Sequence, residues 1–231
     1  MNNLCRIGLI KKIFIYFVII LLSACKSVSF NDLHSHNENV NKLPVLTVKV
    51  DKDSLKSAFP SRKITTGSNT TFNNDVSFFG SVSSYEQDSR ARDTVSIINY
   101  DVKNNITSKT GKIGGKISVR ISNVESDYNI AYYPLTALQY ITLFIPTALG
   151  APVGEQICSI ELEVDIENNN KEIIASYNEV GEGRAKVAAY YGYTHAEALR
   201  YCSLLAVHNA MDKIKLNIAE DYNRLNNRLK K

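Results

Sequence analysis

Ile157-Cys158-Ser159-Ile160-Glu161-Leu162-Glu163-Val164-Asp165-Ile166 alternates apolar and polar residues from Cys158 onward. Cys158, Ile160, Leu162, Val164 and Ile166 share one side, and Ser159, Glu161, Glu163 and Asp165 share the other. A period of two belongs to a strand with one dry face and one wet face. Asn168-Asn169-Asn170 follows as a hairpin turn, since Asn tolerates positive φ. The chain then returns as a strand from Ile173 to Val180. Gly181-Glu182-Gly183 predicts a second turn, and Ala185 to Tyr191 a further strand. Upstream, Ile117, Val119 and Ile121 alternate with Ser118, Arg120 and Ser122, which makes residues 116–124 a neighbour in an antiparallel meander. Alternation alone produces the acidic row of Glu161, Glu163 and Asp165, so it is read as a solvated face and not as carboxylate chemistry.

Val45 to Val50 is β-branched and suits a first strand. Asp53 is placed to cap a short helical turn that Pro60 ends. Residues 61–75, rich in Ser, Thr, Asn and Gly, are expected to be a loop. Glu86, Asp88, Arg90, Arg92 and Asp93 fit the solvated face of a short helix. Val95, Ile97, Ile98, Tyr100 and Val102 read as a strand, and Asn104-Asn105 and Gly111 to Gly115 as turns.

Thr194-His195-Ala196-Glu197 forms a capping box that opens a long C-terminal helix. Leu204, Val207, Met211, Ile214, Ile218, Tyr222, Leu225 and Leu229 recur at three- and four-residue steps, a stripe suited to lying on the sheet. Leu199, Cys202, Ala206 and Ala210 are apolar off that stripe, so the first half is expected to be buried on two sides. His208, at the stripe's edge, reads as a packed or rim histidine. The fold class is therefore α+β: an antiparallel sheet of five to seven strands, packed against a long C-terminal helix, with a short apolar helical insert.

That insert is the anomalous stretch. Ile130 to Leu149 carries no charge, and Gly150 to Gly154 extends the run. Pro134 and Pro146 leave about 11 unbroken helical positions, about 17 Å of helix, too short to span a bilayer core of about 30 Å. Two readings stay open. The segment is a buried helix and loop covering the sheet, or it is a contact surface carrying Tyr132, Tyr133, Tyr140, Leu143 and Phe144.

Residues 1–24 have the plan of a secretory leader, with Arg6, Lys11 and Lys12 ahead of the apolar run Ile13 to Leu21. Leu22-Ser23-Ala24-Cys25 follows, and this quartet resembles the lipobox of bacterial lipoproteins. The resemblance covers only the leader. It implies recognition of Leu22, Ser23 and Ala24 by a signal peptidase, cleavage before Cys25 and lipidation of the Cys25 thiol. Two or three acyl chains, at roughly 0.8 kcal/mol per buried methylene, would hold the chain firmly on a membrane. Lys26 is not the Asp that in that family retains proteins at the inner membrane. The expected place is the outer membrane, facing the periplasm or the cell surface. Residues 25–42 then form a lipidated tether, and 43–231 a single globular domain. His34 and His36 in the tether lack the further ligands that a tetrahedral metal site needs, and no cofactor is expected.

Removing the leader changes the charge balance. The 27 basic residues lose Arg6, Lys11 and Lys12 and become 24, against 23 acids. A near-neutral mature chain offers no electrostatic case for a nucleic-acid partner. Cys5 leaves with the leader, so Cys158 and Cys202 are the two thiols free to pair, as a disulfide or as two buried thiols.

No nucleophile elbow, zinc-protease helix, phosphate loop or dinucleotide fingerprint occurs in the chain. The expected role is a non-enzymatic lipoprotein of envelope assembly or transport, contacting the membrane through Cys25 and an envelope protein or lipid through its surface. A lipid or small-ligand carrier is the alternative, and a cell-wall hydrolase comes third. Strands ending in a helix on one face loosely resemble, in layout, small periplasmic domains of outer-membrane assembly lipoproteins. These include the curli-secretion-channel and peptidoglycan-synthase-activator types.

Overall fold

A computed structural model describes residues 41–60, 62–72, 76–86, 89–129, 152–188 and 195–230. The leader with its lipobox, the tether through residue 40 with His34 and His36, the 130–151 insert and Thr194 lie outside the described residues. In chain order the elements are β1 (Val45–Val50), α1 (Lys52–Ala58), β2 (Arg62–Phe72), β3 (Val76–Glu86) and α2 (Ser89–Asp101). A π-helical turn (Val102–Ile106), β4 (Ile113–Asn129), β5 (Pro152–Asn168), β6 (Ile173–Ala188), α3 (His195–Glu220) and α4 (Tyr222–Leu229) follow.

The class is mixed α+β, but the sheet is smaller than the sequence predicts. Among the described residues its order is β1-β4-β5-β6, four strands where five to seven were expected, while β2 and β3 pair there with each other alone. The sheet is also not purely antiparallel, because β1 runs parallel to β4 from Val45↔Ile113 to Val50↔Val119. Two strand expectations account for the difference. Val95 to Val102 is helical: Ala91, Thr94, Ile97, Ile98 and Asp101 are buried at three- and four-residue steps. Helical spacing wins over β-branched composition because that face packs on α3. The supposed turn at Gly181 to Gly183 lies inside β6, which runs unbroken from Ile173 to Ala188. Residues 61–75, expected as a loop, supply β2 instead.

The 157–166 alternation holds. Ile160, Leu162, Val164 and Ile166 are fully buried, between β4 on one side and β6 on the other. The Asn turn holds too: the Asn168 carboxamide oxygen accepts from the backbone N–H of Asn170 and of Glu172, each at 3.0 Å. Positive φ falls on Lys171, at 63°, and not on an Asn. The α1 cap is Asp51, whose carboxylate accepts from the Asp53 and Ser54 N–H groups, two residues before the expected position.

Helix α3 lies on the dry face. Leu204, Val207, Met211, Ile214 and Ile218 are buried there, and the stripe continues across the break at Asp221 through Leu225 and Leu229. Burying each large aliphatic side chain contributes about 1.5–3 kcal/mol. The first half is buried on its second side as well, at Cys202, Ala206 and Ala210. Helix α4 is tied to β6 by polar contacts. The Tyr177 hydroxyl donates to Asp221 at 2.9 Å, Arg224 pairs with Asp221, and Arg224 also donates to the Ile174 carbonyl at 3.2 Å.

Candidate functional site

The densest buried polar group lies where α2 and the π-helical turn meet α3. Asp101 is 1% exposed and Lys215 9%. Lys215 Nζ stands 3.6 Å from Asp101 Oδ1 and pairs with Asp212 one turn back on α3. The Asn105 carboxamide donates to Asp101 Oδ1 at 2.7 Å. His208 is buried, with Nε2 3.4 Å from Asp212 and Nδ1 3.9 Å from Asp101 Oδ2. The Asp101 Oδ2 and His208 Nδ1 atoms have no hydrogen-bond partner among the described residues. Widening of the helix at Val102–Ile106, where Thr107 N–H bonds back five residues to Val102, seats Asn105 beside this group. A cleft of ≈ 180 Å³ borders it, lined by Asn105, Lys215, Ile106, Leu216 and Ile218 among others. On the exposed flank, Arg200 Nε donates to Asp93 Oδ2 at 2.6 Å, a second tie between α2 and α3.

The two core thiols form a second site. Cys158 on β5 and Cys202 on α3 are buried free thiols, so the bridge weighed from the sequence is not formed in this structure. Cys202 Sγ donates to the Gly183 and Gln156 carbonyls at 3.2 and 3.3 Å, and Ser203 Oγ donates to Cys158 Sγ at 3.7 Å. The Cys158 thiol is held below its ordinary range by a hydrogen bond with Cys202, and the same bond together with burial pushes Cys202 up.

The wet sheet face is laced by ion pairs. Arg120 meets Glu163 at 2.9 Å and Asp165 at 3.6 Å, and Lys116 meets Glu167 at 2.9 Å. Glu161 accepts from Asn178 and Asp165 from Ser176. The acidic row of β5 is thus partnered, and among the described residues no three His, Cys, Asp or Glu side chains converge as a metal site.

Of the residues singled out from the sequence, Cys158 and Cys202 come together, and His208 is packed as expected. Tyr132, Tyr133, Tyr140, Leu143 and Phe144, with Leu22 to Cys25, lie outside the described residues. Sequence reading missed Asp101, Asn105, Asp212 and Lys215. The signal was present: Asp101 and Asn105 are four apart, and His208, Asp212 and Lys215 follow at steps of four and three beside the apolar stripe. No helix among the described residues is long and apolar enough to cross a membrane.

No protein-family model matches the chain, and no curated protein sequence matches it. Two solved structures are similar in outline. One is a candidate lipoprotein from Caulobacter crescentus CB15, with 10% identity, TM-score 0.36, and coverage of 57% of this chain and 81% of that one. The other is a minor lipoprotein from Acinetobacter baumannii, with 8% identity, TM-score 0.33, and coverage of 77% and 93%. Likenesses this loose carry no argument about function.

Proposed function

We propose that this chain is a lipoprotein of the bacterial outer membrane, anchored through Cys25, that binds an envelope partner and has no catalytic activity of its own. The partner surface is the uncharged segment that starts at Ile130. One observation carries this reading: β4 and β5 stay paired out to Asn129↔Glu155. Asn129 and Glu155, the residues that flank it, are therefore neighbours in the β4–β5 register. A charge-free stretch between two paired strands suits a partner contact, with Tyr133, Tyr140 and Leu143 as contacts. Since Cys25 supplies the anchor, the segment is not needed for membrane attachment.

Three clefts among the described residues hold ≈ 120–190 Å³, each below the roughly 300–1,000 Å³ of sites that enclose a drug-sized ligand. The test is affinity purification from envelope fractions, comparing the wild type with Tyr133→Asp and Leu143→Asp. The reading expects a specific envelope protein to be lost from both variants while their melting temperatures stay unchanged. An unchanged set of co-purifying proteins would sink it.

A further inference from the structure

We infer that Cys158 and Cys202 are a disulfide-forming pair that fastens helix α3 to the sheet when the chain folds in an oxidising compartment. Cys158 lies directly opposite Gly183 in the β5–β6 register. Gly183 in turn lies against the backbone of Cys202, where an added Cβ would stand 2.1 Å from the Cys202 carbonyl oxygen. The missing side chain lets the helix backbone drop onto β6 at that residue. This brings the Cys202 thiol beside the cross-strand neighbour of Gly183, and that neighbour is Cys158. Both sulfurs stand at the helix–sheet boundary: Cys202 Sγ donates to the carbonyl of Gln156, two residues before Cys158 on β5, and Ser203 Oγ, next to Cys202 on α3, donates to Cys158 Sγ at 3.7 Å.

Both sulfurs are buried, Cys158 at 1% and Cys202 at 0% exposure. No oxidant reaches them once α3 has docked, so the bridge must close as the helix arrives. The Cys158 thiolate attacks a small disulfide such as oxidised glutathione, forming a mixed disulfide and releasing one reduced thiol. The Cys202 thiolate then attacks the Cys158 sulfur, releasing the second. Two protein thiols and one oxidised glutathione become one protein disulfide and two glutathiones. Before α3 docks, both thiols are open to solvent and either one can make the first attack.

The inference rests on the envelope reading only for the source of oxidant in the cell, and two experiments separate the two. In the first, the purified full chain is unfolded in reductant and refolded with reduced and oxidised glutathione. It is then quenched with acid and N-ethylmaleimide and digested with trypsin. The pair predicts a linked product joining peptide 121–171 to peptide 201–213. It also predicts a melting temperature about 8 °C above that of the reduced chain. Cys158→Ser and Cys202→Ser chains should show no difference in melting temperature between the two buffers. Recovery of both residues as free thiols or glutathione adducts overturns the inference. In the second, the same trapping is done on protein taken directly from cells. A linked product there supports both the pair and its location. Linkage on refolding but free thiols from cells leaves the pair standing and overturns the envelope reading.

Discussion

Gly181 and Ala206 meet backbone to backbone: a Cβ on Gly181 would stand 1.9 Å from the Ala206 carbonyl oxygen. With Gly183, this contact lets α3 ride directly on β6 without an intervening layer of side chains. Gly181→Ala must therefore push the helix off the strand or bend β6. Forced overpacking of a core typically costs 1–3 kcal/mol, and a clash with backbone sits at the upper end, about 3 kcal/mol. Urea unfolding of Gly181→Ala checks this, and a change below about 0.5 kcal/mol would show that the helix does not approach so closely.

The same glycines show where the sequence was legible and where it was not. The strand at 157–166, the Asn turn and the α3 stripe were readable because one local rule governs each, a period of two, a turn residue or a period of 3.6. Gly181 and Gly183 misled because a glycine that makes room for a neighbouring helix looks, in one dimension, like a glycine that makes a turn. Ile97 and Ile98 misled in the opposite sense: their branching favours a strand, and only packing against α3 makes their spacing helical. The Asp101–Lys215 pairing joins residues on two helices, and no single-segment pattern displays it.

Lys215→Met tests the buried polar group. Removing the ammonium leaves Asp101 buried with the Asn105 carboxamide as its near donor. Breaking one side of a buried ion pair costs about 3–5 kcal/mol. Asp212→Asn should cost much less, about 1 kcal/mol or under, because Asp212 is 41% exposed and water replaces its partner. Denaturant midpoints of the two variants measure the difference, and equal losses would contradict the assigned geometry.

Tyr177 predicts a dependence on alkaline pH. Burial first, and then its hydrogen bond to Asp221, raise its pKa above the ordinary value of 10.0. The folded state therefore holds the phenolic proton more tightly than the unfolded state does. The stability this contributes is fully present below the unfolded pKa and drains away as pH rises beyond it. Tyr177→Phe should lose about 1 kcal/mol at neutral pH from the missing hydrogen bond. It should also unfold with a flatter pH profile than the wild type above about pH 10. Parallel profiles would place the alkaline sensitivity elsewhere.

Anchoring and partner contact are tested together by placing a photo-cross-linking residue at Leu143 and irradiating intact cells. The account predicts one dominant adduct with an envelope protein, recovered in the membrane fraction and abolished by Tyr133→Asp. It predicts no such adduct from the same probe at Lys49, an exposed position on β1. It further predicts that Cys25→Ser moves the protein out of the membrane fraction. A wild-type protein that fractionates as soluble, or Leu143 and Lys49 probes that give the same adducts, would contradict it.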